Sequence, residues 1–205
     1  MLEEIKPVLV FGGTFNPPHY GHTHLINYVI NKMHFNHVYI IPSYHPPHKS
    51  EDDVVTFEDR LAMTRIIFNS QKLPAHVDIS DIEKYLPVPS YSWGTLEHFR
   101  QKHQNAKIYM LIGMDMYLNL QQWANYEVLV KKYNFIILKR ENLRVAKISE
   151  GDILLDNPYW NISSEKIRKM VLDYSLTFNK KLELELLNFV SSELLQYIIE
   201  HKLYF

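Results

Sequence analysis

Four stretches of this chain, "VLVFGG" (8–13), "HVYIIP" (37–42), "KIYMLIG" (107–113) and "NFIILKR" (134–140), carry nearly continuous apolar residues with no polar alternation. A strand with one face in water alternates. A strand that does not alternate must be covered on both faces, as in a parallel sheet. The segments between have helical spacing instead: residues 20–34, with Leu25, Ile26, Val29, Ile30 and Met33 on one stripe, then 57–70, 93–103 and "NYEVLVKKY". Shorter strands are predicted at 76–80 and 151–156, and helices from about Ser163 onward. There is no internal repeat or Gly/Ser linker. The pattern implies an α/β fold, a single domain over 1–205 with an open parallel sheet, helices on both faces and a helical part at about 163–205. Ligands of such sheets bind outside the carboxyl ends of the strands.

Composition narrows the function classes. With 205 residues, 46% of them apolar, the chain can bury a sizeable core. A net charge of −1 argues against nucleic acid or anionic membrane as the main partner, since both demand surplus Lys and Arg. No apolar stretch is long enough to span a bilayer, and the start "MLEEIKPVLVFGG" reads as neither a signal nor a transit peptide. The absence of cysteine excludes disulfides, thiol nucleophiles and Cys-ligated zinc, and a cytoplasmic location is expected. Oligomeric state is not legible.

The unusual residues cluster after the strands. In "FGGTFNPPHYGH", Gly12 and Gly13 are expected to let the backbone leave the first strand in conformations closed to bulkier residues and to bring N–H groups near a ligand. His19 falls at the start of the first helix and His22 one turn on, so both imidazoles share a side near the positive end of the helix dipole, with Gly21 keeping the surface between them bare. Backbone donors, a helix N-terminus and two tunable imidazoles suit a polyphosphate. Taken alone, such a pair is also read as surface residues on an ordinary Gly-rich turn, and a metal is a further reading, because His45 and His48 in "YHPPHK" form a second pair that lacks the thiolates or helix-borne carboxylate usual in a zinc site. A Walker A pattern is absent.

Farther along, "NISSEKIRKM" predicts a helix capped by Ser163, with Ser164 and Arg168 meeting on one face and Ile167, Val171 and Tyr174 buried. A serine and a bidentate guanidinium at a helix start suit phosphate, and so does an ordinary capped helix. Asp115 follows a strand and a glycine, where it can accept from ribose hydroxyls or cap a helix. Lys49 and Arg140, both just past strands, are phosphate partners or solvated cations.

"GGTFNPPHYGH" resembles the signature of the HxGH nucleotidyltransferases, and most closely that of the nicotinate mononucleotide adenylyltransferases, which typically carry GGTF(D/N)PxHxGH. "IIPSYHPPHKS", "PSYSWGTL", "LIGMDMYLNLQQW" and "NISSEKIRKM" resemble further segments of that family in the expected order, with a weaker echo in "YIIEHKLYF". The resemblance implies a Rossmann-like fold and transfer of adenylyl from ATP to nicotinate mononucleotide, with Mg2+ arriving with the ATP. It implies catalytic roles for His19, His22 and Arg168. It places Gly12, Gly13, Thr14, Phe15, Lys49, Gly113, Asp115, Ser163 and Ser164 around ATP and its phosphates, and Asn16, Tyr91, Ser92 and Trp123 around nicotinate mononucleotide. Two departures stand out: Glu165 where the family has Thr, expected to point aside, and the bulky Trp93, expected to reshape the pyridine pocket.

The implied chemistry asks little of the protein. The attacking phosphate dianion is already a nucleophile, so no general base or covalent residue is required. The remaining task is to hold two polyanions in line and offset charge on the α-phosphate and pyrophosphate. Other readings are adenylyl or cytidylyl transfer to another acceptor such as phosphopantetheine, a non-catalytic nucleotide binder, and an RNA-binding relative of the class I aminoacyl-tRNA synthetases. Against the last, there is no KMSKS-like loop and no basic surplus.

Overall fold

The computed structural model describes residues 7–50, 53–71, 73–74, 76–139 and 147–205. Every unalternating run is a strand covered on both faces. On one face Val8, Val10, Tyr39, Ile41, Ile108, Met110, Ile112, Phe135 and Ile137 pack together. The residues between them, including Leu9, Val38, Ile40, Leu111 and Ile136, are just as buried. The strands are β1 (Val8–Gly13), β2 (His37–Pro42), β3 (Val77–Ile79), β4 (Ile108–Gly113), β5 (Asn134–Leu138) and β6 (Ile153–Leu155). They form one sheet in the order β3-β2-β1-β4-β5-β6, every neighbouring pair parallel. The expected α/β open parallel sheet, Rossmann-like in strand order, is therefore present.

Residues 1–13, 30–47 and 75–159 make one compact unit, built on this sheet. Its helices include α3 (Ser92–Lys102), α4 (Met114–Leu118) and α5 (Tyr126–Lys132). Leu96 and Phe99 of α3 and Leu129 of α5 complete the core on the first face. The edge strands β3 and β6 stop short of the predicted spans because each pairs over three residues only. Arg140 lies outside the described residues.

The strand order reverses between β1 and β4. Their ladder runs only from Val8↔Ile108 to Val10↔Met110, while β1 continues to Gly13 and β4 to Gly113. A parallel sheet opens its ligand crevice at such a reversal, outside the carboxyl ends. Ser43 N–H binds the Gly13 carbonyl there at 2.9 Å.

The second unit comprises residues 14–29, 48–74 and 160–205. It holds α2 (Phe57–Asn69), α6 (Ser164–Thr177), α7 (Lys180–Leu186) and α8 (Ser192–Glu200), with α2 packed on α8 and α6 on α7. The caps are legible locally. Thr56 accepts from the N–H of Asp59 to start α2, Ser163 from Lys166 to start α6, and Ser191 from Leu194 to start α8. Helix α1 (Tyr20–Lys32) buries Gly21, Thr23, Ile26 and Val29. Of its predicted stripe, Leu25 and Ile30 are only partly covered, and the helix ends before Met33. In α6 the buried positions are Ile167, Met170 and Val171, while Tyr174, expected to be buried, is only partly covered. Among the described residues no helix is long and apolar enough to cross a membrane.

Candidate active site

The chain leaves β1 through a strained residue, but not where the glycines suggest. Gly12 and Gly13 are regular strand residues facing Ile41 and Pro42 of β2, and neither has a positive φ. The left-handed position is Phe15, with φ 50°. The expectation of glycine-only backbone at Gly12 and Gly13 is thus corrected: an added Cβ at Gly12 would meet only the Met110 Cε, at 3.9 Å. What glycine supplies there is a strand end without a side chain.

Residues 14–17 are held from several directions within the second unit. Arg60 Nη1 donates to the Thr14 carbonyl at 2.9 Å, Arg168 Nη1 to the Asn16 carbonyl at 2.8 Å, and Ser164 Oγ to the Pro17 carbonyl at 2.8 Å. The Asn16 side chain is buried. Its Oδ1 accepts from Tyr204 Oη at 2.9 Å and from the Val55 N–H at 3.3 Å, while its Nδ2 donates to the Asp53 carbonyl at 3.0 Å. An amide oxygen has two lone pairs, so its acceptor capacity is taken up by protein. Asn16 organises the loop, and one N–H is what its side chain retains for any ligand. Phe15 is buried, its ring in T-shaped contact with His22 at 5.0 Å and with Phe68 at 6.4 Å between centroids.

That loop delivers the histidine pair. His19 lies just before α1 and His22 in its first turn, with the rings stacked at 3.8 Å between centroids. The His19 backbone N–H donates to His22 Nδ1 at 3.1 Å. Accepting at Nδ1 puts the proton of the neutral ring on Nε2, so His22 is set as an Nε2–H donor. Gly21 has a sharper role than expected, because a Cβ there would lie 2.9 Å from Cε1 and Nδ1 of the His19 ring. The first turn of α1 contains no acidic side chain, and its first N–H, that of Tyr20, donates to the Phe189 carbonyl at 2.8 Å.

Helix α6 begins beside the same loop. Arg168, 152 residues from Asn16, gives it one of the five N–H groups of its fork. Ser163 serves as the cap, accepting from Lys166 N–H at 3.2 Å, and Ser164 is engaged with Pro17. Glu165 points aside as expected, into an exposed pair with Lys169 at 2.8 Å. That pair holds its carboxyl below the usual range, with smaller help from Arg168 and from the exposed Lys49. One unit therefore gathers His19, His22, Ser164, Arg168 and Lys49, together with Thr14, Phe15, Asn16 and Ser163.

The other expected residues belong to the sheet unit. Gly113 ends β4, and Asp115 is exposed in the first turn of α4, whose cap position is Gly113, so Asp115 is not the cap. Trp123 is half-buried against the core. Tyr91 and Ser92 begin α3, which has no side-chain cap. Trp93 packs toward Tyr133, with Lys132 Nζ 5.0 Å above its ring. These contacts give Trp93 a role in the α3–α5 packing. Beneath the segment lies Glu83, which the sequence reading missed. Its carboxylate accepts from the Tyr44 N–H at 3.1 Å and Thr95 Oγ1 at 2.7 Å, and burial pushes its pKa up against these bonds. His45 and Ser90 tie the two loops together, each through a backbone N–H.

Arg60 also escaped the sequence reading, yet a signal was present. It occupies the apolar stripe Phe57, Arg60, Leu61, Thr64, Phe68 of α2, all buried. A charge on a buried stripe needs a task. For the metal reading, no group of three or more His, Cys, Asp or Glu among the described residues could hold an ion, which leaves the His45–His48 pair without a third ligand there.

Comparison with known proteins bears on this geometry. A family model described as cytidylyltransferase-like matches residues 10–170. A protein of Pseudothermotoga lettingae named a probable nicotinate-nucleotide adenylyltransferase is 35% identical over 171 residues, which is 79% of this chain and 84% of that one. One of Fusobacterium nucleatum with the same name is 32% identical over 186 residues, 86% and 94% of the two chains. Among solved structures, Plasmodium falciparum nicotinic acid mononucleotide adenylyltransferase complexed with NaAD superposes with a TM-score of 0.79 at 24% identity over 97% of each chain. The same protein complexed with APC gives 0.76 at 23%. At that identity the superposition speaks for the fold.

Proposed function

The chain belongs to the cytidylyltransferase-like family and, within it, to the nicotinate-nucleotide adenylyltransferases, and we infer that it transfers adenylyl from ATP to nicotinate mononucleotide, giving nicotinate adenine dinucleotide and pyrophosphate for NAD synthesis. The observation that carries this reading is the stacked His19–His22 pair on a loop bonded to Arg168.

The 5′-phosphate of nicotinate mononucleotide attacks the α-phosphorus of ATP. A new P–O bond forms as the bond to the β-phosphate oxygen breaks, and its electron pair leaves with pyrophosphate. The nucleophile is already an anion, so no proton needs to be removed. The residues act by position and charge. His22 donates from Nε2, which its Nδ1 bond to the His19 N–H leaves protonated. His19, Arg168 and Lys49 add donors and charge around the triphosphate. Gly113 and Asp115, at the carboxyl end of β4, serve the adenosine side, with the Asp115 carboxylate accepting from ribose hydroxyls. The uncapped start of α3 at Ser92 receives the nicotinate carboxylate on backbone N–H groups, and Tyr91 and Trp123 flank the ring. A neutral nicotinamide gains less there.

The donors around the histidine pair are imidazole, guanidinium, ammonium and hydroxyl, a set suited to phosphate oxygens rather than to a metal cage. In this reading Mg2+ would arrive with ATP rather than be held by a protein cage, and would supply charge that offsets the pyrophosphate. We place the enzyme in the cytoplasm, supported by a sequence without cysteine.

The test is pyrophosphate release from ATP with nicotinate mononucleotide, nicotinamide mononucleotide or phosphopantetheine as acceptor. Fastest release with the nicotinate form is expected. Faster release with phosphopantetheine, or none above the acceptor-free rate, overturns the reading.

A further inference from the structure

Phe15 sits in the left-handed region, φ 50°, where a bulky residue is strained. Such a conformation persists only when its surroundings over-determine it. Here the carbonyls on both sides of Phe15 are gripped by guanidinium groups: Arg60 holds the Thr14 carbonyl at 2.9 Å and Arg168 the Asn16 carbonyl at 2.8 Å. Arg60 is essentially fully buried, and its Nε also binds the Val55 carbonyl at 3.1 Å. The N–H of that same Val55 meets Asn16 Oδ1. Tyr204 closes the ring of contacts with its own bond to Asn16 Oδ1 at 2.9 Å, across 188 residues of sequence. Burial pushes the Tyr204 hydroxyl far up, so it stays a neutral donor at any working pH. The ring of the strained residue then meets that of His22 in a T-shaped contact, with centroids 5.0 Å apart.

We propose that Arg60 and Tyr204 are positioning residues for adenylyl transfer: they lock residues 14–16 in the conformation that seats Phe15 against His22, and thereby set where the His22 Nε2–H points. Neither touches a reacting atom. The inference rests on the function proposed above. It follows that their effect on turnover passes through His22. A displacement of about 1 Å at a reacting group costs up to a hundredfold in rate, so loss of one strut predicts a smaller but clear drop.

The test is single-turnover and steady-state kinetics of Tyr204→Phe, alone and combined with His22→Ala, with Arg60→Lys as a second strut variant. Tyr204→Phe is expected to lower kcat about tenfold with the KM for ATP within about twofold. In the His22→Ala background the further loss shrinks below about threefold, because residues acting as a unit are not additive. Arg60→Lys keeps the charge but not the fork, and its loss is expected to show the same dependence on His22. An unchanged kcat in Tyr204→Phe, a loss confined to KM, or an equal loss in both backgrounds overturns the proposal. Wild-type protein that releases no pyrophosphate overturns the functional reading instead, so the two failures are distinguishable.

Discussion

A pair of histidines three residues apart is common. His19 and His22 are set apart because the backbone N–H of one fixes the tautomer of the other, and because glycine between them leaves the His19 ring its space. If both imidazoles offset charge in the transition state, His19→Ala lowers turnover roughly a hundredfold or more, the usual effect of losing one such donor. An unchanged circular dichroism spectrum accompanies that loss, and near-normal turnover removes His19 from the mechanism. The histidine pair was legible from its spacing, and the pairing of Arg168 with Ser164 from helix period, while the role of Arg168 came from the resemblance of its segment to the family motif. The engagement of Asn16 and the burdens of Arg60 and Glu83 were not, since each depends on partners distant in sequence. Glu83 makes its own prediction. Its folded carboxyl is raised above its ordinary value, so the folded state holds a proton that the unfolded chain releases first. Stability is then greatest at or below the ordinary glutamate value, about 4.3, and falls as pH rises through the raised one. Melting curves against pH are expected to fall less steeply in Glu83→Gln than in wild type over that window; parallel curves contradict the assignment.

At the level of elements, the strands were read from unbroken apolar runs and the start of α6 from Ser163, signals that are local; Thr56 and Ser191, which cap α2 and α8 in the same way, were not read. The short helix α4 was not read, because five residues give no period to detect. Edge strands were overextended because their ends are fixed by the neighbour they pair with, which composition cannot show. Gly94 tests the helix account. It sits in the first turn of α3, and a Cβ added there has no heavy atom within 4 Å. Gly94→Ala should therefore stabilise the protein by about 0.5–1 kcal/mol through the helix and the less flexible unfolded chain. In a chain of this size that is a rise in melting temperature of about 1–4 °C. A fall in melting temperature contradicts it.

For the molecule as a whole, the fold determines where chemistry can occur. The order β3-β2-β1-β4-β5-β6 reverses at β1 and β4, whose ladder lapses before their carboxyl ends. The chain passes from the end of β1 directly into the loop that carries the histidines, and the bonds that hold this loop come from 147, 152 and 188 residues away. Those separations explain why a sequence reading finds the parts and misses the struts. The central claim is that His19, His22 and Arg168 meet one triphosphate. A crystal structure with a non-hydrolysable ATP analogue and nicotinate mononucleotide measures this directly. The account predicts phosphate oxygens within about 3.2 Å of a ring nitrogen of each histidine and of the Arg168 guanidinium. A triphosphate bound with those three groups out of reach contradicts it.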